Sequence, residues 1–310
     1  MDLTQRDGNY QVPPQAGPIL GVEFSGIISS FGYSQLQNEG FKIGDEVFGL
    51  AYGGKSLSTL SSFLSLIKYF VIGAYAEYVA VAAKMLIRKP PSMTWETAAA
   101  IPETWITATQ AMSLIGGFTS GKSILWHAGA SSVSIAGIQL SKALSASTIY
   151  ATVGSHVKVE FCKSLGADEV WNYHESDWEA EAKRATDGRG VDIIIDFVGQ
   201  DYFQKNLNSV ARDGCVVIVG LLSGAKTKEG IDLSPFVKQR IKVEGSRLRS
   251  RDVEYQGKLR DILVRDALPK FIDGTLTVPL EKVFNWYEIH EAHLLMESNT
   301  IMGKIVCRVT

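Results

Sequence analysis

Between residues 123 and 140 the chain reads Ser-Ile-Leu-Trp-His-Ala-Gly-Ala-Ser-Ser-Val-Ser-Ile-Ala-Gly-Ile-Gln-Leu. A short apolar run, Ile124 to Trp126, gives way to small residues, and Val133, Ile135, Ala136 and Leu140 then recur at helical spacing. This spells a strand, a tight turn and a helix start. Such a turn presents unpaired backbone N–H groups and the positive end of a helix dipole to a phosphate, provided its side chains are small. In the pattern G-x-G-x-x-G the first glycine makes the turn, the second admits a pyrophosphate, and the third lets helix and strand pack closely. Here Gly129 holds the first place, while Ser131 and Ser134 hold the second and third. The candidate cradle is Gly129, Ala130, Ser131, Ser132 and Val133, with the hydroxyls of Ser131 and Ser132 as further donors. The motif is degenerate, so a plain strand-to-helix corner stays open on these residues alone.

A second cluster bears on which dinucleotide such a cradle would take. An NAD site places Asp or Glu about 20 residues past the first glycine, where it binds the ribose 2′-hydroxyl. The next apolar run ends Ala151-Thr152-Val153-Gly154-Ser155-His156-Val157-Lys158, with no acid before Glu160. The small pair Gly154-Ser155, with Lys158 one turn into a helix, suits a 2′-phosphate that a carboxylate would repel. The expected cofactor is therefore NADPH; a solvated helix lysine is the other reading of Lys158.

No metal is expected. The histidines at 127, 156, 174, 290 and 293 show no zinc spacing with Cys162, Cys215 and Cys307. His290 and His293 read as an exposed pair on a helix, and His127 as packed or hydrogen-bonded at a strand end. The three separated cysteines make no disulfide framework, which suits a reducing compartment. The first ten residues hold no apolar run of signal-peptide type, so the expected location is the cytoplasm.

The elements that must position the two clusters follow from periodicity. From Ser123 to Gly220, short apolar runs at Ile124 to Trp126, Thr148 to Val153, Glu169 to Trp171, Val191 to Val198 and Cys215 to Leu221 alternate with amphipathic stretches. Those stretches are Val133 to Leu144, Val157 to Leu165, Trp178 to Ala185 and Tyr202 to Val210. The alternation predicts an α/β fold, a doubly wound parallel sheet with helices on both faces, and Ile241 to Gly245 adds an edge strand. Upstream, Gly and Pro punctuate short strand-like runs around Ile19 to Ile28 and Phe41 to Gly49, the vocabulary of a small barrel. A strand pair is predicted over Tyr75 to Ile87, a helix capped by Thr94 after it, and another from about Trp105 to Leu114. Downstream, Tyr255 to Ile272 and Ile289 to Ser298 read as helices, and Lys304 to Val309 as a strand returning to the first domain. The predicted domains are 1–100, 101–240 and a closing segment 241–310.

Composition narrows the class further. In 310 residues, 45% are hydrophobic and 21% charged, with a formal net charge of -2. That is a globular composition long enough for two cores, and it offers no field for nucleic acid or an anionic membrane. Lys55 to Ile72, rich in Ser and Leu, is shorter than the roughly 20 apolar residues of a membrane span and contains Lys68. A surface insertion, or a stretch foreign to the mature protein, is the expectation.

Taken together, further motifs resemble a family. Gln5-Arg6-Asp7-Gly8-Asn9-Tyr10, Gly21-Val22-Glu23, Ile101-Pro102-Glu103-Thr104-Trp105, His127-Ala128-Gly129-Ala130-Ser131, Leu165-Gly166-Ala167 and Leu248-Arg249-Ser250-Arg251 are similar to the zinc-independent, zeta-crystallin-like quinone oxidoreductases of the medium-chain dehydrogenase/reductase superfamily. The likeness covers nearly the whole chain apart from residues 55–72. It implies a GroES-like barrel completed by the C-terminal segment, a Rossmann domain holding NADPH across an interdomain cleft, and hydride transfer to a quinone or conjugated carbonyl without metal. It places Ser155, Lys158 and Tyr173 at the 2′-phosphate, Thr107 near the nicotinamide and Tyr10 in the substrate pocket, where a surface turn residue is the other reading. Gly154, Val198, Gly199, Ser246, Arg247 and Leu248 complete the implied cofactor contacts, and family precedent implies a homodimer.

Val22 occupies the middle of Gly21-Val22-Glu23, where zinc-dependent cousins carry a histidine ligand, in agreement with the zinc-independent branch and the lack of a cysteine cluster. Three departures stand out. Serines replace turn glycines at 132 and 134. The chain also opens almost on the Gln-Arg-x-Gly-x-Tyr motif, and Lys55 to Ile72 interrupt the family pattern. The last departure gives the expectation of an N-terminally truncated, misassembled gene product with an incomplete barrel. An NADPH-binding protein with little turnover and an inactive truncated product thus remain beside the reductase.

Overall fold

The computed structural model describes residues 2–10, 16, 19–32, 39–51, 73–227 and 230–309. Residues 55–72 and Pro13, Pro14 and Pro18 lie outside the described residues. The chain divides into two compact units, one of Met1–Ile106 with Leu248–Thr310 and one of Thr107–Arg247.

The first unit begins with α1 (Asp2–Arg6), followed by β1 (Glu23–Ile27), β2 (Glu46–Leu50) and β3 (Leu86–Arg88), an antiparallel sheet in that order. Val47, Ile28 and Leu86 meet in a small core flanked by Phe24, Phe41 and Val81. The strand pair predicted over Tyr75 to Ile87 is present only as β3. Among the described residues the backbone at 74–75 bonds back to 20–21, Ala74 N to Gly21 O (3.0 Å) and Tyr75 N to Leu20 O (2.9 Å), and a tight turn over Ala83–Met85 precedes β3. Thr94 caps α2 (Trp95–Ala99) as predicted, accepting from Thr97 N at 3.2 Å. The next helix, α3 (Pro102–Thr109), starts three residues before Trp105, because Pro102 fits a first helical turn whose N–H groups have no partner. It runs into a wide π-helical turn, Gln110–Ile115.

In the second unit β4 (Ile124–Trp126), α4 (Ser132–Ala143), β5 (Ile149–Val153), α5 (His156–Ser164), β6 (Glu169–Asn172), α6 (Trp178–Ala185), β7 (Val191–Asp196), α7 (Phe203–Ser209) and β8 (Val210–Ile218) alternate. Short α8 (Ser234–Lys238) and edge strand β9 (Lys242–Gly245) follow. All adjacent strands are parallel, in the order β6-β5-β4-β7-β8-β9. This is a Rossmann-type sheet: the chain steps outward from β4 to β6, then returns to the other side of β4 at β7. Ile124, Leu125 and Trp126 are all fully buried, which is why β4 reads as an unbroken apolar run rather than an alternation. On one side the core joins Leu125, Trp171, Trp178, Ile194, Leu207 and Val216.

Several strand limits differ from the sequence expectation, and two of them have a visible local reason. β7 stops at Asp196 rather than Val198, because the Asp196 carboxyl accepts the N–H groups of Val198 and Gly199 and bends the chain. β8 begins at Val210, which pairs with Val191; the register then jumps so that Cys215 faces Ile193, with Asp213 in the left-handed region at φ 61°.

The first unit resumes with α9 (Val253–Asp266), capped by Asp252, then α10 (Leu268–Ile272), β10 (Leu280–Asn285), α11 (Ile289–Glu297) and β11 (Lys304–Arg308), which runs parallel to β10. Trp105 of α3 meets Phe271 of α10 edge-on at 4.5 Å. An ion pair from Lys304 to Glu23 ties β11 to β1.

Candidate functional site

Strands β4 and β7 are neighbours, yet the chain leaves their carboxyl ends in opposite directions. A crevice opens at such a switch point, and ligands of open α/β sheets bind there. The turn after β4 is built for closeness. Ala128 sits in the left-handed region at φ 51°, Gly129 N donates to Thr152 O at 2.8 Å, and Ser131 N donates to Ala128 O at 2.8 Å. A Cβ on Gly129 would lie 3.0 Å from both Ala151 Cβ and Cys162 Sγ, so a side chain there would push the turn off β5 and α5.

Ser131 is the N-cap of α4, accepting from Ser134 N at 3.4 Å. Ser134, in the third motif place, is fully buried and donates its hydroxyl to His127 O at 2.9 Å. Close packing of helix on strand falls instead to Gly137, where a Cβ would enter the indole of Trp126. The signal was present in the sequence as a glycine inside a helical run. Ala130 is buried, while Ser132 and Val133 are half-buried at the start of α4.

The end of β5 supplies the second cluster. Gly154 faces Tyr173 so closely that a Cβ would strike the phenol hydroxyl, and Tyr173 N donates to Val153 O at 3.0 Å. Ser155 begins α5 without its hydroxyl capping that helix, and half-buried Lys158 follows in the first turn. Gly154 and Ser155 thus lie at the end of β5 with Gly154 against Tyr173, and neither β5 nor the first turn of α5, which carries Lys158, holds a carboxylate. A cavity of about 420 Å³ opens at Tyr173, lined also by Glu175, Asp177, Trp178, Tyr202 and Lys205.

Beneath both clusters runs a buried polar chain that sequence reasoning did not assemble. His127, fully buried, contacts Thr152 Oγ1 through Nδ1 at 2.9 Å and Asn206 Oδ1 through Nε2 at 2.8 Å. Asn206 Nδ2 donates to Asp196 Oδ2 at 3.0 Å, so its Oδ1 must accept, the proton sits on His127 Nε2, and Thr152 donates to Nδ1. Burial pushes His127 down to about 4 and Asp196 up to about 6. Through Asp196 the chain holds the N–H of Val198 (2.7 Å) and of Gly199 (3.2 Å), residues implied as cofactor contacts.

The remaining implied residues fall in two places. Thr107, buried in α3, and Ser246 and Arg247, just past β9, belong to the Thr107–Arg247 unit; Ser246 Oγ lies 3.3 Å from Gln110 Oε1. Tyr10 and buried Leu248 belong to the other unit. There the Arg249 guanidinium lies 5.1 Å from the Tyr10 ring centre and donates to Gln5 Oε1 at 2.8 Å.

A two-unit nucleotide-binding dehydrogenase fold is what this arrangement defines. The chain belongs to the medium-chain dehydrogenase/reductase superfamily: the alcohol dehydrogenase GroES-like domain family matches residues 1–91, and the zinc-binding dehydrogenase family matches residues 132–263. It is 32% identical over 231 residues to 2-methylene-furan-3-one reductase of Solanum lycopersicum, covering 74% of this chain and 53% of that protein. A highly reducing polyketide synthase of Alternaria alternata matches at 23% identity over 94% of this chain, which spans only 10% of that protein. Among solved structures, an NAD-dependent alcohol dehydrogenase has a TM-score of 0.79 at 29% identity, over 100% of this chain and 88% of that one. Escherichia coli quinone oxidoreductase complexed with NADPH has a TM-score of 0.78 at 25% identity, over 98% of this chain and 87% of that one.

The zinc of the second family's name does not fit the described residues. No three His, Cys, Asp or Glu side chains among them cluster as a metal site. Val22 lacks a donor atom, and Glu23 is already engaged by Lys304 and by the N–H of Glu103. His293 is half-buried rather than exposed, with Nε2 3.2 Å from Tyr75 Oη and Nδ1 3.3 Å from Arg6. No helix among the described residues is long and apolar enough to cross a membrane.

Proposed function

We propose that this chain binds NADPH along the carboxyl edge of the β4–β5–β7 sheet and passes its hydride to a quinone or conjugated carbonyl without metal. The observation that carries the cofactor choice is that the end of β5 and the first turn of α5 hold Gly154, Ser155 and Lys158 and no carboxylate, where an NAD site would present one. The names of two similar proteins, a furanone reductase and an NADPH-complexed quinone oxidoreductase, support the same direction.

NADPH, when bound, supplies the hydride. The chain supplies position and electrostatics. Backbone N–H groups at the start of α4 would hold the pyrophosphate and Lys158 would balance the 2′-phosphate, while the Asp196 carboxyl fixes the loop of Val198 and Gly199. Neutral His127 holds that loop from below without adding a charge beside the dinucleotide.

NADPH oxidation monitored at its absorbance band with a panel of quinones and enones, against NADH, tests the reading. Acceptor-dependent oxidation favouring NADPH is expected; NADPH binding without turnover would favour the binding-protein alternative, and equal use of NADH would remove the role given to Lys158.

A further inference from the structure

Gln110 is a fully buried amide that the hydride-transfer reading does not use. It opens the π-helical turn Gln110–Ile115, three residues after buried Thr107, a spacing that puts the two on one side of the helix. Such wide turns are rare, and they occur mostly at functional sites. No proline or glycine between Glu103 and Ile115 accounts for this one.

The turn is held from both ends. Met112 Sδ lies 3.4 Å from Ser141 Oγ, the group that receives Trp126 Nε1 at 3.1 Å. Gly116 closes the turn by donating its N–H to Ala111 O at 2.9 Å, and a Cβ on it would lie 3.0 Å from Ile193 of β7. At the start of the turn the tie is polar. Ser246 Oγ donates to Gln110 Oε1 at 3.3 Å, while Ser246 N donates to Ile218 O, at the end of β8, at 2.8 Å. Gln110 thus joins the turn after α3 to the carboxyl edge of the sheet, and both residues belong to the Thr107–Arg247 unit.

We propose that Gln110 is a positioning residue for the nicotinamide end of the dinucleotide: its side-chain oxygen holds the Ser246 hydroxyl and so fixes the exit from β9 relative to Thr107. The inference rests on the reading that NADPH lies along this edge, with Thr107 near its nicotinamide and Ser246 in contact with it. A neutral amide sets that distance without placing a charge beside a ring that turns cationic on losing hydride.

Single-turnover oxidation of bound NADPH by a quinone separates positioning from folding, because misfolded protein lowers the amplitude and leaves the rate constant alone. In Gln110→Met, which nearly keeps the volume and removes the amide, the rate constant is expected to fall about tenfold while the amplitude and the NADPH Kd hold. Ser246→Ala is expected to show the same loss, and the double variant no further loss. Independently of turnover, saturation-transfer NMR with NADP+ is expected to show the nicotinamide signals dropping in either variant while the adenine signals hold. Ser246, half-buried on a turn, carries the test where Gln110→Met fails to fold. Wild-type rate constants in the single variants, losses that add in the double variant, or an equal drop at both ends of the dinucleotide would overturn the proposal. A wild type that binds the dinucleotide and oxidises no acceptor, with the nicotinamide drop in the variants, would overturn only the reductase reading. A wild type that binds no dinucleotide would overturn both.

Discussion

His127 Nε2 donates to Asn206 Oδ1 across 2.8 Å, joining the end of β4 to the helix that follows β7. The two residues stand 79 positions apart, and between them they lock both sides of the switch point. Asn206 passes the contact to Asp196, so three strand ends and the Val198–Gly199 turn share one buried polar chain. The stability of such a chain depends on the protonation state of each member.

Its pH dependence has a definite sign. His127 is depressed from 6.5 to about 4, so its contribution is present above pH 6.5 and is lost as pH falls toward 4. Asp196 is raised from 3.8 to about 6, so its carboxylate costs stability as pH rises through that interval. Each shift is worth about 3 kcal/mol, and between pH 4 and 6 the two slopes oppose. Asp196→Asn removes one slope. Urea denaturation is expected to show the variant losing about 2 kcal/mol more than the wild type on acidification from pH 6 to pH 4, since part of the Asp196 shift titrates outside that interval. Equal losses in both proteins would contradict the assignment.

Gly137 has no room for a side chain. The indole of Trp126 is fully buried and held by a hydrogen bond from Nε1 to Ser141 Oγ at 3.1 Å, so it cannot swing away from an added methyl. Gly137→Ala should destabilise the protein by about 3 kcal/mol through overpacking. Adding Trp126→Leu should recover part of the loss, which a double-mutant cycle of urea midpoints would measure.

Gly154 is crowded by the hydroxyl of Tyr173, whose side chain is partly exposed and free to yield outward. Gly154→Ala should therefore leave the melting temperature within about 2 °C of wild type. It should weaken NADPH binding about tenfold by displacing Tyr173, as read by fluorescence titration. An affinity loss accompanied by a matching loss of stability would mean the crowding is structural only.

Cysteine chemistry should be quiet in the folded state. Burial pushes Cys162 up to about 12, and burial likewise raises Cys215 and Cys307. Since the thiolate is the reactive form, iodoacetamide at about pH 8 should leave NADPH binding intact, with Cys162 labelled only after denaturation. Rapid labelling of Cys162 in the native protein, followed by peptide mapping, would show the turn beneath Gly129 to be open.

The parallel sheet was legible because its signals are local. Runs such as Ile124 to Trp126 and Ile149 to Val153 are apolar throughout, and their helices begin within a few residues. That no acid stands between Gly154 and Lys158 was legible for the same reason, since it is a local fact of the sequence. The His127 chain was not: Thr152, Asn206 and Asp196 meet it only once the strand order β5-β4-β7 is known. Ser134 was misplaced as the close-packing position because the motif counts residues, while contact with Trp126 is set by the helix turn that carries Gly137. Of the strand pair expected over Tyr75 to Ile87 only β3 formed, since the backbone at 74–75 bonds to Leu20 and Gly21 and Ala83–Met85 makes a tight turn. Gln110 gave no sign, for burial is a property of the folded chain.

The most direct test of the account is a paired fluorescence titration with NADPH and NADH, using the wild type and Lys158→Glu. The account predicts that wild type binds NADPH at least about tenfold more tightly, and that Lys158→Glu erases or reverses the preference by weakening NADPH alone. Equal affinities for the two cofactors in the wild type, unchanged by Lys158→Glu, would contradict it.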